Sequence, residues 1–206
     1  MKLAVFDFDS TLMDGETIDI LADDYGVKED IKGITEMSMR GEIDFYESLK
    51  KRVAFLKGMK ESRVEYVCKN LTYIQGAKEI ITELKKMDYK VVVFSGGYRN
   101  ATSYAKELLG FDADFSNVLH QKGGILSGEV GGDMMFGWSK GDMLQRIQAL
   151  LNISYEDTIA VGDGANDASM FPFASKKIAF CAKTYLRERA NIIIDKKDLI
   201  EILKYI

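Results

Sequence analysis

The chain has 206 residues, 47% of them apolar, with 28 basic and 32 acidic side chains and a formal net charge of −4 at pH 7. That length suits one large or two unequal domains and that apolar share fills a real core, which excludes disordered, collagen-like and low-complexity chains. With no basic surplus, the chain also lacks the signature of a protein that binds nucleic acid or an anionic membrane surface.

Residues 2–8 are a continuous apolar run ending in acids, the pattern of a strand buried on both faces. The run turns acidic too early for a signal peptide, and nothing later approaches the ~20 apolar residues of a spanning helix. From about Glu16 to Leu71 the pattern becomes helical. Ile18, Leu21, Ala22 and Tyr25 form one stripe and Phe45, Leu49, Val53 and Leu56 another, with Gly26, Gly41 and Gly58 where helices stop. A helical block inserted after the first strand reads as a lid, which divides the chain into a core of residues 1–15 and 72–206 and a cap of residues 16–71.

Beyond the cap, Ala77, Ile80, Ile81, Leu84 and Met87 keep helical spacing, and residues 90–94 predict a second buried strand. Ser95-Gly96-Gly97 reads as a break ahead of a helix running to about Leu109. Residues 119–130, with Gly123-Gly124 between extended runs, predict an antiparallel hairpin. Residues 158–161 predict a third buried strand, leading into Gly162-Asp163-Gly164 and a helical stretch. Residues 178–181 and 192–194 add two short strands, with Cys181 as a small core hydrophobe. This alternation implies an α/β fold whose mostly parallel sheet is covered by helices. Two cysteines remote in sequence make neither a disulfide framework nor a zinc motif, and reduced thiols place the protein in the cytoplasm.

Four polar clusters fall at strand ends or at the helix start just beyond, and in an open parallel sheet such ends share one edge. Asp7 and Asp9 are two apart, so in extended chain both carboxylates face one side. Their repulsion is relieved by a divalent cation or by one acid holding a proton, oxygen donors favour magnesium over zinc, and a carboxylate is also a possible nucleophile. Equally, two acids simply end a strand and cap a helix. Ser95 with Gly96 and Gly97 offers a hydroxyl and amides to a phosphate, although glycine turns after strands are common. Gly162-Asp163-Gly164-Ala165-Asn166-Asp167 crowds three polar groups into a tight turn, with Asp163 and Asp167 four apart. Lys140, read alone, is one lysine among many.

Taken in order, Asp7-Phe8-Asp9-Ser10-Thr11, Ser95-Gly96-Gly97, Lys140 and the Gly162–Asp167 turn resemble the haloacid dehalogenase superfamily of phosphatases. Glu16-Thr17-Ile18-Asp19 and Ile178-Ala179-Phe180-Cys181-Ala182-Lys183 extend the likeness to essentially the whole chain, where it is similar to the short microbial branch acting on phosphoserine. The resemblance implies a Rossmann-like core with an inserted helical cap and a β-hairpin. It implies magnesium-dependent hydrolysis of O-phospho-L-serine through an aspartyl phosphate, the last step of serine biosynthesis. Asp7 is then the nucleophile and Asp9 the general acid and base. Magnesium is expected on the Asp7 and Asp163 carboxylates and the Asp9 main-chain oxygen, with Asp167 orienting from behind. Ser95, Gly96, Gly97, Lys140 and Asn166 are expected around the phosphoryl group. Glu16 is expected to meet the substrate ammonium and Arg52 its carboxylate, under a roof of Met39 and Phe45. Phe45 and Arg52 lie seven apart on one amphipathic helix, hence on nearly one face, where an arginine either serves a site or snorkels to solvent.

Two positions depart from the family pattern. Tyr98-Arg99 follows Ser95-Gly96-Gly97 where phenylalanine and a small or acidic residue are usual, and Arg99 brings a charge toward the expected phosphate site. Gln75-Gly76 stands in place of Pro-Gly. His120, the only histidine, matches no catalytic position and reads as surface. Other readings are hydrolysis of a different small phosphomonoester, transfer of phosphate to an alcohol such as homoserine, and a magnesium-dependent binding module without catalysis.

Overall fold

The computed structural model describes residues 1–39 and 42–206. The side chain of Met39, expected in the roof, and Gly41, expected to stop a helix, lie outside the described residues.

The central strand β1 (Lys2–Asp7) alternates its side chains between two cores, Ala4 and Phe6 on one face and Leu3 and Val5 on the other. A strand covered on both faces needs apolar residues at every position, which is why its sequence reads as an unbroken run. The same holds for β2 (Tyr89–Tyr98) and β5 (Thr158–Gly162), which flank β1 in parallel. With β3 (Ala113–Lys122), β4 (Ile125–Gly132), β6 (Lys176–Phe180) and β7 (Ile192–Ile194) they form a seven-stranded sheet in the order β4-β3-β2-β1-β5-β6-β7. Only β4 runs antiparallel, to β3, as the hairpin expected around Gly123-Gly124. Because the chain builds outward from β1 through β2, β3 and β4 on one side and then returns to place β5, β6 and β7 on the other, the carboxyl edge at β1 is a switch point with an open crevice.

Between β1 and β2 come α1 (Thr17–Tyr25), α2 (Lys28–Met39), α3 (Phe45–Ala54), α4 (Glu61–Lys69) and α5 (Ala77–Lys86). Gly26, at φ 81°, ends α1 in the left-handed conformation that glycine adopts without strain, and Asp44 caps α3 by accepting from the Glu47 amide at 2.8 Å. Leu21, Leu49, Val64 and Cys68 from these helices join one of the sheet's two cores. That face is also covered by α5 and α6 (Arg99–Leu109), while α7 (Ser139–Leu151) and the 3₁₀ segment Ala165–Phe173 cover the other. The short α8 (Thr184–Arg187) and a 3₁₀ segment, Leu199–Tyr205, complete the chain. The turn between α3 and α4 is bonded to the hairpin through backbone groups: Gly58 N–H to Leu126 O at 3.0 Å, Leu126 N–H to Met59 O at 2.9 Å, and Glu61 N–H to Gly124 O at 2.9 Å.

Four local readings change. Ser95-Gly96-Gly97 does not break its strand: β2 continues to Tyr98, which pairs with Asn117 after a register shift, and the Asn117 amide holds the Gly96 carbonyl at 3.0 Å. The turn after β5 leads into a 3₁₀ segment rather than an α-helix, with Pro172 inside it. Cys181 is exposed rather than in the core, because β6 ends at Phe180 and the chain turns at Cys181 with φ 45°. Tyr25 is 39% exposed at the end of α1, where its hydroxyl donates to the Lys57 carbonyl. His120 is exposed, as expected.

Among the glycines of the described residues the tightest fit is between α7 and the 3₁₀ segment, where a Cβ on Gly141 would lie 2.2 Å from the Ser169 carbonyl oxygen. Gly141→Ala is therefore expected to lower the unfolding free energy by about 1–3 kcal/mol, the clash outweighing the ~1 kcal/mol that alanine gains in a helix. Urea titration checks this, and an unchanged or raised midpoint would show that the two elements can part.

Candidate active site

The crevice at the end of β1 is built around a buried lysine. Lys140, the second residue of α7, is 2% exposed and donates to the carboxylates of Asp7 and Asp167, the latter at 2.6 Å. Asp7 ends β1 and also accepts from the Thr11 hydroxyl at 3.3 Å. The second Asp167 oxygen accepts the amides of Asp163 at 3.1 Å and Gly164 at 3.0 Å, closing the turn that follows β5. Only glycine fits at position 162, since a Cβ there would stand 2.4 Å from the Asp167 carboxyl.

Asp7, Asp163 and Asp167, all buried, place a carboxylate oxygen each within 4.8 Å of one another. Burial, then repulsion from Asp167, raises Asp7 well above the ordinary carboxylate range and Asp163 to about 7. Burial pulls the Lys140 ammonium down, but Asp167 and Asp7 outweigh it, so the group stays charged. Three acids against one ammonium leave unneutralised negative charge in a site of oxygen donors only, which fits a hard divalent cation.

Asp9 has different partners. Its carboxylate accepts the Thr17 amide at 3.0 Å and the Thr17 hydroxyl, both from the first residue of α1. Desolvation, then the charge of Glu16, raises it to about 7, so it can hold or release a proton near neutrality. Its other oxygen lies so close to Gly97 that a Cβ there would meet it at 2.6 Å. The Gly97 amide in turn donates to Ser95 Oγ at 2.9 Å.

A cavity of about 490 Å³ opens above these groups, lined by Asp7, Asp9, Gly96, Gly97 and Asn166 from the sheet edge and by Glu16, Phe45 and Arg52 from the helices over it. Phe45 sits directly on the Gly96 backbone, where a Cβ would be 2.9 Å from its ring. Glu16 accepts the Ser10 hydroxyl at 3.0 Å, and Arg52 Nε donates to the Ser48 carbonyl at 3.4 Å. Ser95, Lys140, Asp163 and Asp167 are buried and bonded to that lining rather than part of it. Arg99 is exposed and outside the lining, so its charge does not enter the cavity.

Sequence reading gave no role to several groups that the fold brings here. Thr17 bonds Asp9, and Ser48 and Tyr98 line the cavity. Lys183 also lines it, with its Nζ 3.8 Å from Asp163. Thr17 and Lys183 stand within quoted family stretches, and Tyr98 was visible as a departure, but none carries a motif of its own.

Residues 1–174 match the family model of haloacid dehalogenase-like hydrolases. A phosphoserine phosphatase of Wolinella succinogenes is 69% identical over the full length of both chains, and one of Methanocaldococcus jannaschii is 50% identical over 100% of this chain and 97% of that protein. The chain belongs to the haloacid dehalogenase-like hydrolases, in the phosphoserine phosphatase family. A solved phospho-aspartyl intermediate analogue of a phosphoserine phosphatase superposes with a TM-score of 0.94 at 50% identity, covering 100% of this chain and 98% of that one. The seven-stranded, mostly parallel sheet with its covering helices is that family's fold.

Holding Asp163 protonated to about pH 7 has a stability consequence. A carboxyl whose folded pKa is raised favours the folded state below its unfolded value near 4, and that contribution is lost as pH rises through 7. In metal-free protein, Asp163→Asn is therefore expected to raise the melting temperature at pH 8, with the gain shrinking between pH 7 and pH 4. Added magnesium should raise it in the parent protein and do much less in the variant. A melting temperature that falls at pH 8 in the variant would contradict the electrostatic account.

Proposed function

We propose that the chain hydrolyses O-phospho-L-serine to L-serine and phosphate, closing serine biosynthesis in the cytoplasm. The observation that carries the reading is the pairing of two differently held carboxylates at one cavity: Asp7 tied to a buried ammonium, and Asp9 poised near neutrality beside it. A relative's structure described as a substrate-bound phosphoserine phosphatase complex, with a TM-score of 0.94, supports the same substrate. Cys68 and Cys181 are both free, in keeping with a reducing compartment, and no helix among the described residues is long and apolar enough to cross a membrane.

In this reading a carboxylate oxygen of Asp7 attacks phosphorus as the bond from phosphorus to the serine oxygen breaks, and Asp9 gives that oxygen its proton. Water then attacks the aspartyl phosphate, Asp9 takes back a proton, and the bond between Asp7 and phosphorus breaks to release phosphate. Lys140, Ser95 and the Gly96 amide hold the phosphoryl oxygens, with Gly97 beside them, where fixed donors meet charge that grows in the transition state. Asn166, at the cavity edge, adds a polar contact. Asp7, the Asp9 main-chain oxygen and Asp163 hold magnesium, with Asp167 behind them, and the ion supplies neutralisation of phosphoryl charge. Helices α1–α4 act as the cap that chooses the substrate, Glu16 receiving the ammonium and Arg52 the carboxylate through its planar fork. Phe45 shields the reacting group from water, in the roof expected to include Met39.

Phosphate release from L-phosphoserine, with magnesium or with chelator and beside a panel of other phosphomonoesters, tests this. Magnesium-dependent release that prefers phosphoserine is expected. Asp7→Asn should abolish turnover and Lys140→Ala should lower kcat by ~10²–10³. Arg52→Ala should weaken phosphoserine turnover at low concentration by ~10–10². Phosphoserine turnover that survives Arg52→Ala unchanged would remove the pocket assignment, and no release from any ester would leave a binding module.

A further inference from the structure

Among the described residues only two buried side-chain polar atoms make no hydrogen bond: Ser48 Oγ on α3 and Tyr98 Oη at the end of β2. Both residues are 1% exposed, and both stand in the wall of the one cavity that holds the acids. Buried polar side chains elsewhere are matched: Thr102 to Asp114 and Ser116, Asn117 to Gly96 and Met134, Ser139 to the Phe136 amide. A buried hydroxyl without a partner is an uncompensated desolvation, so two of them on residues that wall one binding cavity mark donors whose acceptor comes with the ligand.

Arg52 joins the pair. It lies one helical turn after Ser48, its Nε reaches the Ser48 carbonyl, and of the charged groups around the Tyr98 phenol it acts most strongly. Burial holds that phenol above its ordinary range, so it keeps its proton and can donate. An ionised carboxylate offers about four acceptor sites, of which a guanidinium fork occupies two. Two hydroxyl donors in the same cavity wall match the number that remains. Position 98 is also where the family pattern has phenylalanine, which fills the same volume without the unsatisfied atom.

We infer that Ser48, Arg52 and Tyr98 form a single carboxylate-binding corner, in which the Tyr98 hydroxyl is a specificity-determining donor to the substrate. The inference rests on the phosphoserine reading and adds to it a residue that separates this chain from a pocket closed by phenylalanine.

Tyr98→Phe tests it with two readouts that move in opposite senses. Melting of the free protein should stay level or rise, because the change removes an unsatisfied group and keeps the ring. The preference for L-phosphoserine over phosphoethanolamine, which lacks the carboxylate, should fall about tenfold or more in kcat/KM, chiefly through KM, since a hydrogen bond to a charged group contributes ~1.5–3 kcal/mol. Ser48→Ala should lower the same preference. An unchanged preference in Tyr98→Phe overturns the inference while leaving the phosphoserine reading intact. A lowered melting temperature with both substrates equally impaired assigns Tyr98 a packing role instead, and also overturns it. Parent protein with no preference between the two substrates overturns the phosphoserine reading and the inference with it.

Discussion

A single buried ammonium organises the site. Lys140 is almost wholly removed from water, and an ion in that position is tolerable only where its charge and its donors are met. Asp7 and Asp167 meet them from two different strand ends, so the first strand, the turn after β5 and the first turn of α7 are fixed to one point. The close fits around that point follow from it. Gly162 leaves room for the Asp167 carboxyl, and Gly141 lets α7 approach the Ser169 carbonyl closely enough to deliver the lysine. Even so, the charge is not balanced, since Asp163 adds a third carboxylate to the same cluster. Burial first and that imbalance second raise the proton affinities of Asp7 and Asp163, in a site that fits a further positive charge.

In the proposed function, chemistry and selection fall to different parts of the chain, and Asp9 stands between them. It leaves β1 with Asp7, yet its partners are the amide and hydroxyl of Thr17, where α1 begins. The first helix above the sheet therefore holds the carboxylate assigned the proton transfers, so where that helix sits bears directly on Asp9. Its neutral-range affinity comes from desolvation and from Glu16, the very group expected to bind the substrate's ammonium. A cation arriving at Glu16 offsets the charge that raises Asp9, so recognition and proton transfer share one electrostatic environment.

Much of this was legible in the sequence, for physical reasons that differ by element. Buried parallel strands announce themselves, because β1 and β5 present apolar side chains to cores on both faces. Asp7 and Asp9 were readable from their spacing and position. Lys140 was not, since nothing local separates a buried lysine from a solvated one, and only the order of motifs singled it out. Ser95-Gly96-Gly97 misled because glycines usually end strands, whereas here the Asn117 side chain ties the segment into β2. Cys181 misled because its strand stops one residue earlier than the apolar run. Ser48 and Tyr98 carried no signal of their own, as an unpaired hydroxyl is a property of packing rather than of residue type.

The way the upper helices are attached bears on how a closed cavity is filled. Between α3 and α4 they are joined to the hairpin by backbone hydrogen bonds around Leu126, which do not depend on side-chain rotamers. At α3 the contacts run through side chains: Phe45 on the Gly96 backbone, and a stacked ladder in which Tyr46 faces Phe136 at 5.0 Å and Phe136 faces Trp138 at 5.1 Å. Aromatic contacts of this kind contribute ~0.5–1.5 kcal/mol each beyond the area they bury. Trp138 stands two residues before Lys140, so the ladder joins the edge of α3 to the loop that delivers the ammonium. Backbone pairing at the hairpin and side-chain contacts from α3 therefore hold the helices above the sheet in two different ways.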